Sequence, residues 1–435
     1  MFKARRAHLI GIGGIGVSAI ARALFLQGVE VSGSDTSRSE IIDELESLGA
    51  KFYLGHDARN IPLGCDLVVY TNALAKENPE LIEARRRGIR VISYPEALGE
   101  MSQGRFVIAV SGSAGKTTTT ALLGQILIDA GLEPTVVVGS LAYFTDKSWK
   151  VSKTNFFFGQ GKYFVVEADE YKRAFLHLNP KILTINNIEP DHLDYYRDLA
   201  DLKGAFRELA EKVPPNGFIV ASSKDEVVSS VLKSVDATIL DYSTATVPDN
   251  LALPGLHNRD NAKVAATVAL TLGVDKRVIS DSLARARGPW RRLEYKGKTK
   301  GGLHLYDDYA HNPQKVRALI AGVRERFPKE RIVLVFQPHL YSRTKQLLKE
   351  FSKSFSGVDR LLVLPIYAAR EAPDPTISHE ALAHAIRLSD SVPEVETLGA
   401  INEVPGVLLT EKEGGVCLIV GAGDLYTVCD SLLDK

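Results

Sequence analysis

The stretch VSGSAGKTTTT, Val110–Thr120, decides how the chain folds. An apolar run, FVIAVSG, precedes it and an amphipathic run, TTTTALLGQILIDAG, overlaps and follows it. That order predicts a strand, a glycine-bearing loop and a helix. Lys116 is entered through Gly112 and Gly115 and is followed by Thr117–Thr120. The widespread triphosphate loop G-x-x-x-x-G-K-[ST] needs a glycine six residues before its lysine, and Val110 stands there instead. The backbone N–H groups from Ser113 to Thr118 would still face a phosphate at a helix N-terminus. Lys116 would neutralise β/γ charge, and the Thr117 hydroxyl would ligate Mg²⁺. The competing reading is a polar helix start whose threonines only satisfy orphan amides.

Working outward, 435 residues predict about two to four domains. A 45% apolar and 24% charged composition is that of an ordinary core-forming chain. Lys plus Arg balances Asp plus Glu at 53 each, so charge gives no support for a nucleic-acid partner. Cys65, Cys417 and Cys429 form no C-x-x-C pair, which argues against a cysteine metal site and suits a reducing cytoplasm. Lys3, Arg5 and Arg6 followed by AHLIGIGGIGVSAIARALFL imitate a signal peptide, but Arg22 interrupts the run and its glycines are spaced as a loop. No uncharged stretch approaches the ~20 residues of a membrane span.

Apolar strands alternate with helical patterns along the whole chain, which predicts parallel sheets. LGEMSQGR and GPWRRLE break the pattern, giving three parts: 1–103, 104–287 and 288–435. The expected fold class is α/β with three domains: a Rossmann-like N-terminal domain, a central P-loop ATPase-like domain and a C-terminal Rossmann-like domain.

In the first part, Gly11, Gly13, Gly14 and Gly16 satisfy G-x-G-x-x-G between a strand and a helix. Such glycines let a diphosphate approach the backbone at the helix N-terminus, and Asp35 closes the second strand where a ribose hydroxyl is read. The ligand is either a nicotinamide dinucleotide or another nucleotide diphosphate, and a ligand-free turn is the plain alternative. In the second part, VVEADE sets Glu167, Asp169 and Glu170 at a strand end, and NNIEPDHLDYY does the same with Asp191, His192 and Asp194. Mg²⁺ needs only one or two protein oxygens when substrate phosphates share the ion. His192 by itself would read as a hydrogen-bonded surface histidine, but its neighbourhood favours function.

Taken together, these motifs resemble the Mur ligases. The resemblance runs through the glycine loop, SGSAGKTTTTA, VEADE with FLHLNPKILTINNIEPDHLDYY, GLHNRDNA, RRLEYKG, DDYAHNP, FQPHLYSRT, LPIYAAREAP and GAGD. The family's own phosphate loop, G-x-x-G-K-T, is supplied by Gly112, Gly115, Lys116 and Thr117. FLHL, DHLDYY and FQPHLYSRT point to the alanine-adding branch.

The resemblance implies an ADP-forming, ATP-dependent ligase that joins the carboxylate of UDP-N-acetylmuramate to L-alanine through an acyl phosphate, for peptidoglycan synthesis. It implies a UDP-sugar domain with Gly13, Gly14, Ile15, Gly16, Asp35, Thr71 and Asn72. For ATP it implies Gly112, Ser113, Ala114, Gly115, Lys116, Thr117, Thr118, Asn187, His257, Asn261, Asp308 and either Arg291 or Arg292, with Arg292 chosen. Thr117, Glu167 and His192 fall on its metal positions, for Mg²⁺ with Mn²⁺ as a substitute. Lys116 and His192 take catalytic roles, as do His339 and Arg343 beside the amino-acid site; His339 and a phosphate oxygen both stand as bases for the amine. The implied protein is cytoplasmic, a monomer or homodimer, with small-molecule partners and neither nucleic acid nor membrane. Four positions depart from the pattern. Ala114 and Leu340 replace a histidine and an arginine, Lys172 replaces an acidic residue, and Asn312 replaces a second histidine. A murein-peptide recycling ligase, a folylpolyglutamate synthetase, a nicotinamide-dependent dehydrogenase and a non-catalytic relative are the alternatives. The dehydrogenase leaves Lys116, Glu167 and His192 without roles.

Overall fold

A strand buried by helices on both faces reads as a continuous apolar run, and such runs build three sheets here. The computed structural model describes residues 2–192, 195–233, 235–369, 371–411 and 414–433. Asp194, one of the residues singled out after the DH pair, lies outside them.

The first sheet contains β1 (Arg6–Ile10), β2 (Glu30–Asp35), β3 (Lys51–Leu54), β4 (Leu67–Tyr70) and β5 (Arg90–Ser93). All are parallel, in the order β3-β2-β1-β4-β5. The order reverses between β1 and β4, so the loop after β1 opens at a topological switch point.

The second sheet contains β6 (Phe106–Ser111), β7 (Thr135–Thr145), β8 (Val151–Phe157), β9 (Tyr163–Glu167), β10 (Ile182–Ile185), β11 (Phe218–Ala221) and β12 (Thr238–Asp241). Its order is β12-β11-β10-β6-β9-β7-β8. β6 is therefore flanked by β9 and β10, both parallel to it. The β7–β8 pair is an antiparallel hairpin that departs from the expected parallel alternation.

The third sheet contains β13 (Glu294–Lys298), β14 (Leu303–Asp308), β15 (Ile332–Gln337), β16 (Arg360–Val363), β17 (Glu394–Thr397) and β18 (Gly415–Gly421). The order is β13-β14-β18-β15-β16-β17, and β13 is an antiparallel edge strand.

The chain divides into two compact units, 1–252 with 260–287, and 253–259 with 288–435. The first two sheets share a unit because their cores merge. Ala19 and Ala23, on the Ile15–Leu26 helix that follows the glycine loop, are buried in one cluster with Val137 and Phe156 of the hairpin. Arg22, which interrupts the apolar run in the sequence, is the polar part of this seam and is only 6% exposed. Its guanidinium donates to Asn155 Oδ1 on β8 at 2.8 Å and to Glu44 at 2.7 Å. Asn155 donates in turn to the Ile15 carbonyl and to Ser18 Oγ. A buried charge is tolerated only when paired in this way.

Candidate active site

The loop after β6 takes its shape from two glycines. Gly112 and Gly115 have φ of 134° and 83°, and a Cβ at Gly115 would lie 2.2 Å from Asn261 Oδ1. Gly115 opens the Lys116–Asp129 helix, and no side chain caps that helix start. The threonines are engaged elsewhere. Thr117 Oγ1 donates to Glu167, Thr119 Oγ1 to Asn261, and Thr120 Oγ1 to the Lys116 carbonyl. The reading of the threonines as helix caps is thereby removed, and the N-terminal amides remain without a side-chain cap, as an anion site requires.

The neighbouring strands supply what surrounds the loop. From the end of β10, Asn187 clamps the loop backbone. Its Oδ1 accepts from Ala114 N at 2.8 Å, and its amide donates to the Ala114 carbonyl at 3.2 Å. Ser113 N donates to the Asn187 carbonyl, and Ser113 Oγ bonds the Glu189 backbone. Asn186, which the sequence reading missed, donates to Thr119 at 2.9 Å. Asn187 and Asn261 thus both touch the phosphate loop.

From the end of β9 come the carboxylates. Glu167 accepts from Thr117 Oγ1 at 2.8 Å and from Gly139 N at 2.6 Å. Burial pushes its carboxyl and that of Asp169 above the ordinary range. Glu170 is fully buried and holds the Lys116 ammonium at 2.7 and 2.9 Å. Burial disfavours both charges, but the pair outweighs it: Lys116 is held above its usual range, and Glu170, which also faces His192, below its own. His192 Nε2 lies 3.6 Å from Glu170, which raises its affinity for a proton. Asp169, Glu170 and His192 present ligand atoms all within 4.8 Å of one another. Two donor groups are therefore present, Thr117 with Glu167 and Asp169–Glu170–His192. Their oxygens suit Mg²⁺, and the imidazole extends the fit to Mn²⁺. The sequence placed Asp169 and Glu170 at the strand end but could not pair Glu170 with a lysine 54 residues away.

At the glycine loop, Gly14 opens the Ile15–Leu26 helix with no side-chain cap. Gly11, at φ 81°, approaches Thr71 so closely that a Cβ would lie 2.7 Å from its methyl. Asp35 Oδ2 accepts from Gly13 N at 3.0 Å, so this carboxylate braces the loop itself.

The second unit holds its own group. Asp308, at the end of β14, accepts from Leu293 N and Ala310 N at 2.7 and 2.8 Å. Its burial raises the carboxyl, against the opposing fields of Arg292 and His257. Arg291 and Arg292 separate cleanly. Arg291 is buried at φ 57°, bonded to Asp307 at 3.0 Å and to the Gly421 and Gly423 carbonyls. It is a framework residue, whereas the Arg292 guanidinium lies over the Tyr309 ring at 5.4 Å. Replacing Arg291 with Leu should cost about 3–5 kcal/mol, because the Gly421 and Gly423 carbonyls would lose their donor and Asp307, whose carboxyl burial already pushes up to about 7, would lose its compensating charge. Arg292→Ala should stay within about 0.5 kcal/mol of the parent. Urea unfolding of both variants measures this, and equal losses would overturn the division. Beyond β15, His339 stacks on Tyr367 at 5.6 Å and lies 3.1 Å from Arg343 Nη1. Burial and the Arg343 charge hold His339 below the usual histidine range, which favours the neutral ring. Asn312 caps the Pro313–Arg326 helix by accepting from Lys315 N at 2.8 Å. Leu340 sits at φ 72° with its N–H on the Tyr367 carbonyl.

Comparison with known proteins matches three family models in chain order. These are the Mur ligase family, catalytic domain, at 6–106, the Mur ligase middle domain at 110–252, and the Mur ligase, glutamate ligase domain, at 291–423. A UDP-N-acetylmuramate–L-alanine ligase of Clostridium tetani is 36% identical over 99% of this chain and 98% of its own. The chain belongs to the Mur ligase family. Another relative of that name, from Caldicellulosiruptor saccharolyticus, is 39% identical over 98% of both chains. Among solved structures, a Mur ligase of Thermotoga maritima, a UDP-N-acetylmuramate-alanine ligase, superposes with a TM-score of 0.81 at 26% identity over 98% of each chain. A murein peptide ligase of Psychrobacter arcticus shares the fold at a TM-score of 0.68 and 24% identity, covering 99% of this chain and 100% of its own. The three-domain α/β Mur ligase fold expected from the sequence is the one found.

Proposed function

We infer that this Mur ligase is an ADP-forming enzyme that uses ATP to join the carboxylate of UDP-N-acetylmuramate to L-alanine, a step of peptidoglycan precursor synthesis. Full-length identity of 35–39% to enzymes of that name carries the reading. The Lys116–Glu170 and Thr117–Glu167 pairs at an uncapped helix start support its ATP chemistry.

The chemical difficulty is electrostatic. A carboxylate must attack a phosphoryl group, so two anions must meet. Positive charge and aimed dipoles then dominate catalysis. We assign Lys116 and the N–H groups of Ser113–Thr118 to the ATP phosphates, with Asn187 and Asn261 holding the loop in shape. Thr117, Glu167 and His192 would hold Mg²⁺ or Mn²⁺. A divalent ion there would supply Lewis-acid charge to phosphoryl oxygens. Glu170 must release Lys116 when phosphate arrives, since the ammonium cannot serve both at full strength. The sugar carboxylate attacks the γ-phosphorus and ADP leaves, giving an acyl phosphate; the amine then attacks its carbonyl carbon, gives up a proton to His339 or a phosphate oxygen, and expels phosphate. In the second unit, we assign Arg292, Asp308 and His257 to the nucleotide, and His339 and Arg343 to the incoming amino acid. The proposed divisions are 1–103 for the UDP-sugar, 104–287 for ATP and 288–435 for the amino acid. Among the described residues no helix is long and apolar enough to cross a membrane. A water-soluble substrate set accords with a cytoplasmic enzyme.

The test is phosphate release from ATP with UDP-N-acetylmuramate and a panel of amino acids and short peptides. L-Alanine should give the highest kcat/KM, by at least about tenfold over glycine and L-serine, because a methyl is worth about 1–3 kcal/mol in a fitted pocket. Preference for a tripeptide would move the chain to the recycling ligases.

A further inference from the structure

Two consecutive residues after the Asp169–Glu170 pair, Lys172 and Arg173, adopt left-handed backbone at φ 51° and 56°. Non-glycine residues stay in that region only when their surroundings fix them. Here the surroundings do so. The Arg173 guanidinium is held by Asp201 at 3.0 Å and Glu208 at 2.9 Å, and its N–H donates to the Glu170 carbonyl. Tyr196 OH donates to the same carbonyl at 2.5 Å, and Phe175 N to that of Asp169 at 2.9 Å.

The result is a fixed direction for Lys172. Its side chain is exposed, and its ammonium donates to the Asn72 carbonyl, just past β4 of the first sheet, at 3.1 Å. It also lies 5.3 Å from the centre of the Tyr171 ring, and that centre is 4.8 Å from the centre of the His192 ring. Arg173 has two carboxylate partners, whereas among the described residues Lys172 has none within ion-pairing distance. An ammonium on one carbonyl and one ring keeps donors and a full charge for a ligand.

We propose that Lys172 contacts the sugar nucleotide and holds the carboxylate that is to be activated; this rests on the ligase reading above. The ammonium reaches the end of β4, at the switch point where the glycine loop receives the diphosphate. Its neighbour Tyr171 touches His192, beside the phosphate loop. The part of the substrate that must pass from one to the other is its carboxylate. Glu167, Asp169 and Glu170 would repel that anion, and a cation aimed across the gap offsets the repulsion.

Titration calorimetry with two probes tests this. UDP-N-acetylmuramate carries the carboxylate, and UDP-N-acetylglucosamine has the same nucleotide and amino sugar without it. Lys172→Ala should weaken the first about 10–100-fold, the range for loss of a charge-assisted bond, and leave the second within about twofold. Lys172→Arg should recover most of the loss, and Lys172→Asp should deepen it. KM for the sugar should rise while KM for ATP stays near the parent value. Equal losses with both probes would reassign Lys172 to the diphosphate, and no loss with either would remove it from the site. If the alanine variant fails to fold, Lys172→Met keeps the stem over Tyr171 and serves the same comparison. A parent protein that binds neither probe would overturn the ligase reading and this assignment together, whereas normal turnover with unaffected Lys172 variants would overturn this assignment alone.

Discussion

Lys116→Ala should reduce ATP-dependent phosphate release by at least about 10³-fold while leaving UDP-sugar affinity within about twofold. The reason is local. Lys116 enters the Lys116–Asp129 helix, and its ammonium lies between the Gly112 carbonyl at 2.7 Å and the Glu170 carboxylate. No second cation bonds to Glu170 in its place among the described residues, apart from a protonated His192. Removing the ammonium deletes the charge assigned above to the ATP phosphates and leaves a buried carboxylate without its lysine partner. The variant should therefore also lose stability, and folding must be checked by circular dichroism before rates are compared. Lys116→Met controls for packing. Near-parental turnover in a folded Lys116→Met protein would end the phosphate-loop assignment.

Glu167→Ala should raise the Mg²⁺ concentration for half-maximal rate about 10–100-fold, the range for loss of a group that holds or orients a metal ligand. Glu167 holds the Thr117 hydroxyl and the Gly139 amide, so it both offers an oxygen and orients another. Asp169→Asn separates the two donor groups. A larger shift there than at Glu167 would place the principal cation among Asp169, Glu170 and His192. An unchanged titration in the Glu167 variant would take that residue out of the site. Mn²⁺ should sustain both variants better than Mg²⁺, because imidazole is a better ligand for it.

Much of this was legible in the sequence. Strand–loop–helix alternation placed the glycine loop, the phosphate loop and the carboxylate-bearing strand ends, because each depends on local periodicity. What was not legible depends on long-range pairing. A run such as VVVGSLAYFT reads the same as a parallel core strand or as one arm of a hairpin, and only its partner decides. Adjacent arginines cannot be told apart by type, yet a left-handed backbone at Arg291 turns it inward to Asp307 while Arg292 stays partly exposed. The resemblance set Asn187 and Asn261 among the residues for ATP, and the structure ties both to the loop backbone or its helix. His257 belongs instead to the second unit, near Asp308, although only four positions separate it from Asn261.

The Arg22–Asn155 seam has a consequence for how such proteins exchange parts. A cut near residue 103 looks like a natural joint, since one sheet ends and another begins. Grafting the first sheet of a relative onto this chain there would bring a foreign helix against the resident hairpin. Asn155 would then need a new arginine for its Oδ1 and a new acceptor for its amide, since Arg22, Ser18 and the Ile15 carbonyl leave with the replaced segment. Successful chimaeras should therefore keep the first 103 residues and the β7–β8 hairpin from one parent, making the unit of inheritance discontinuous along the chain.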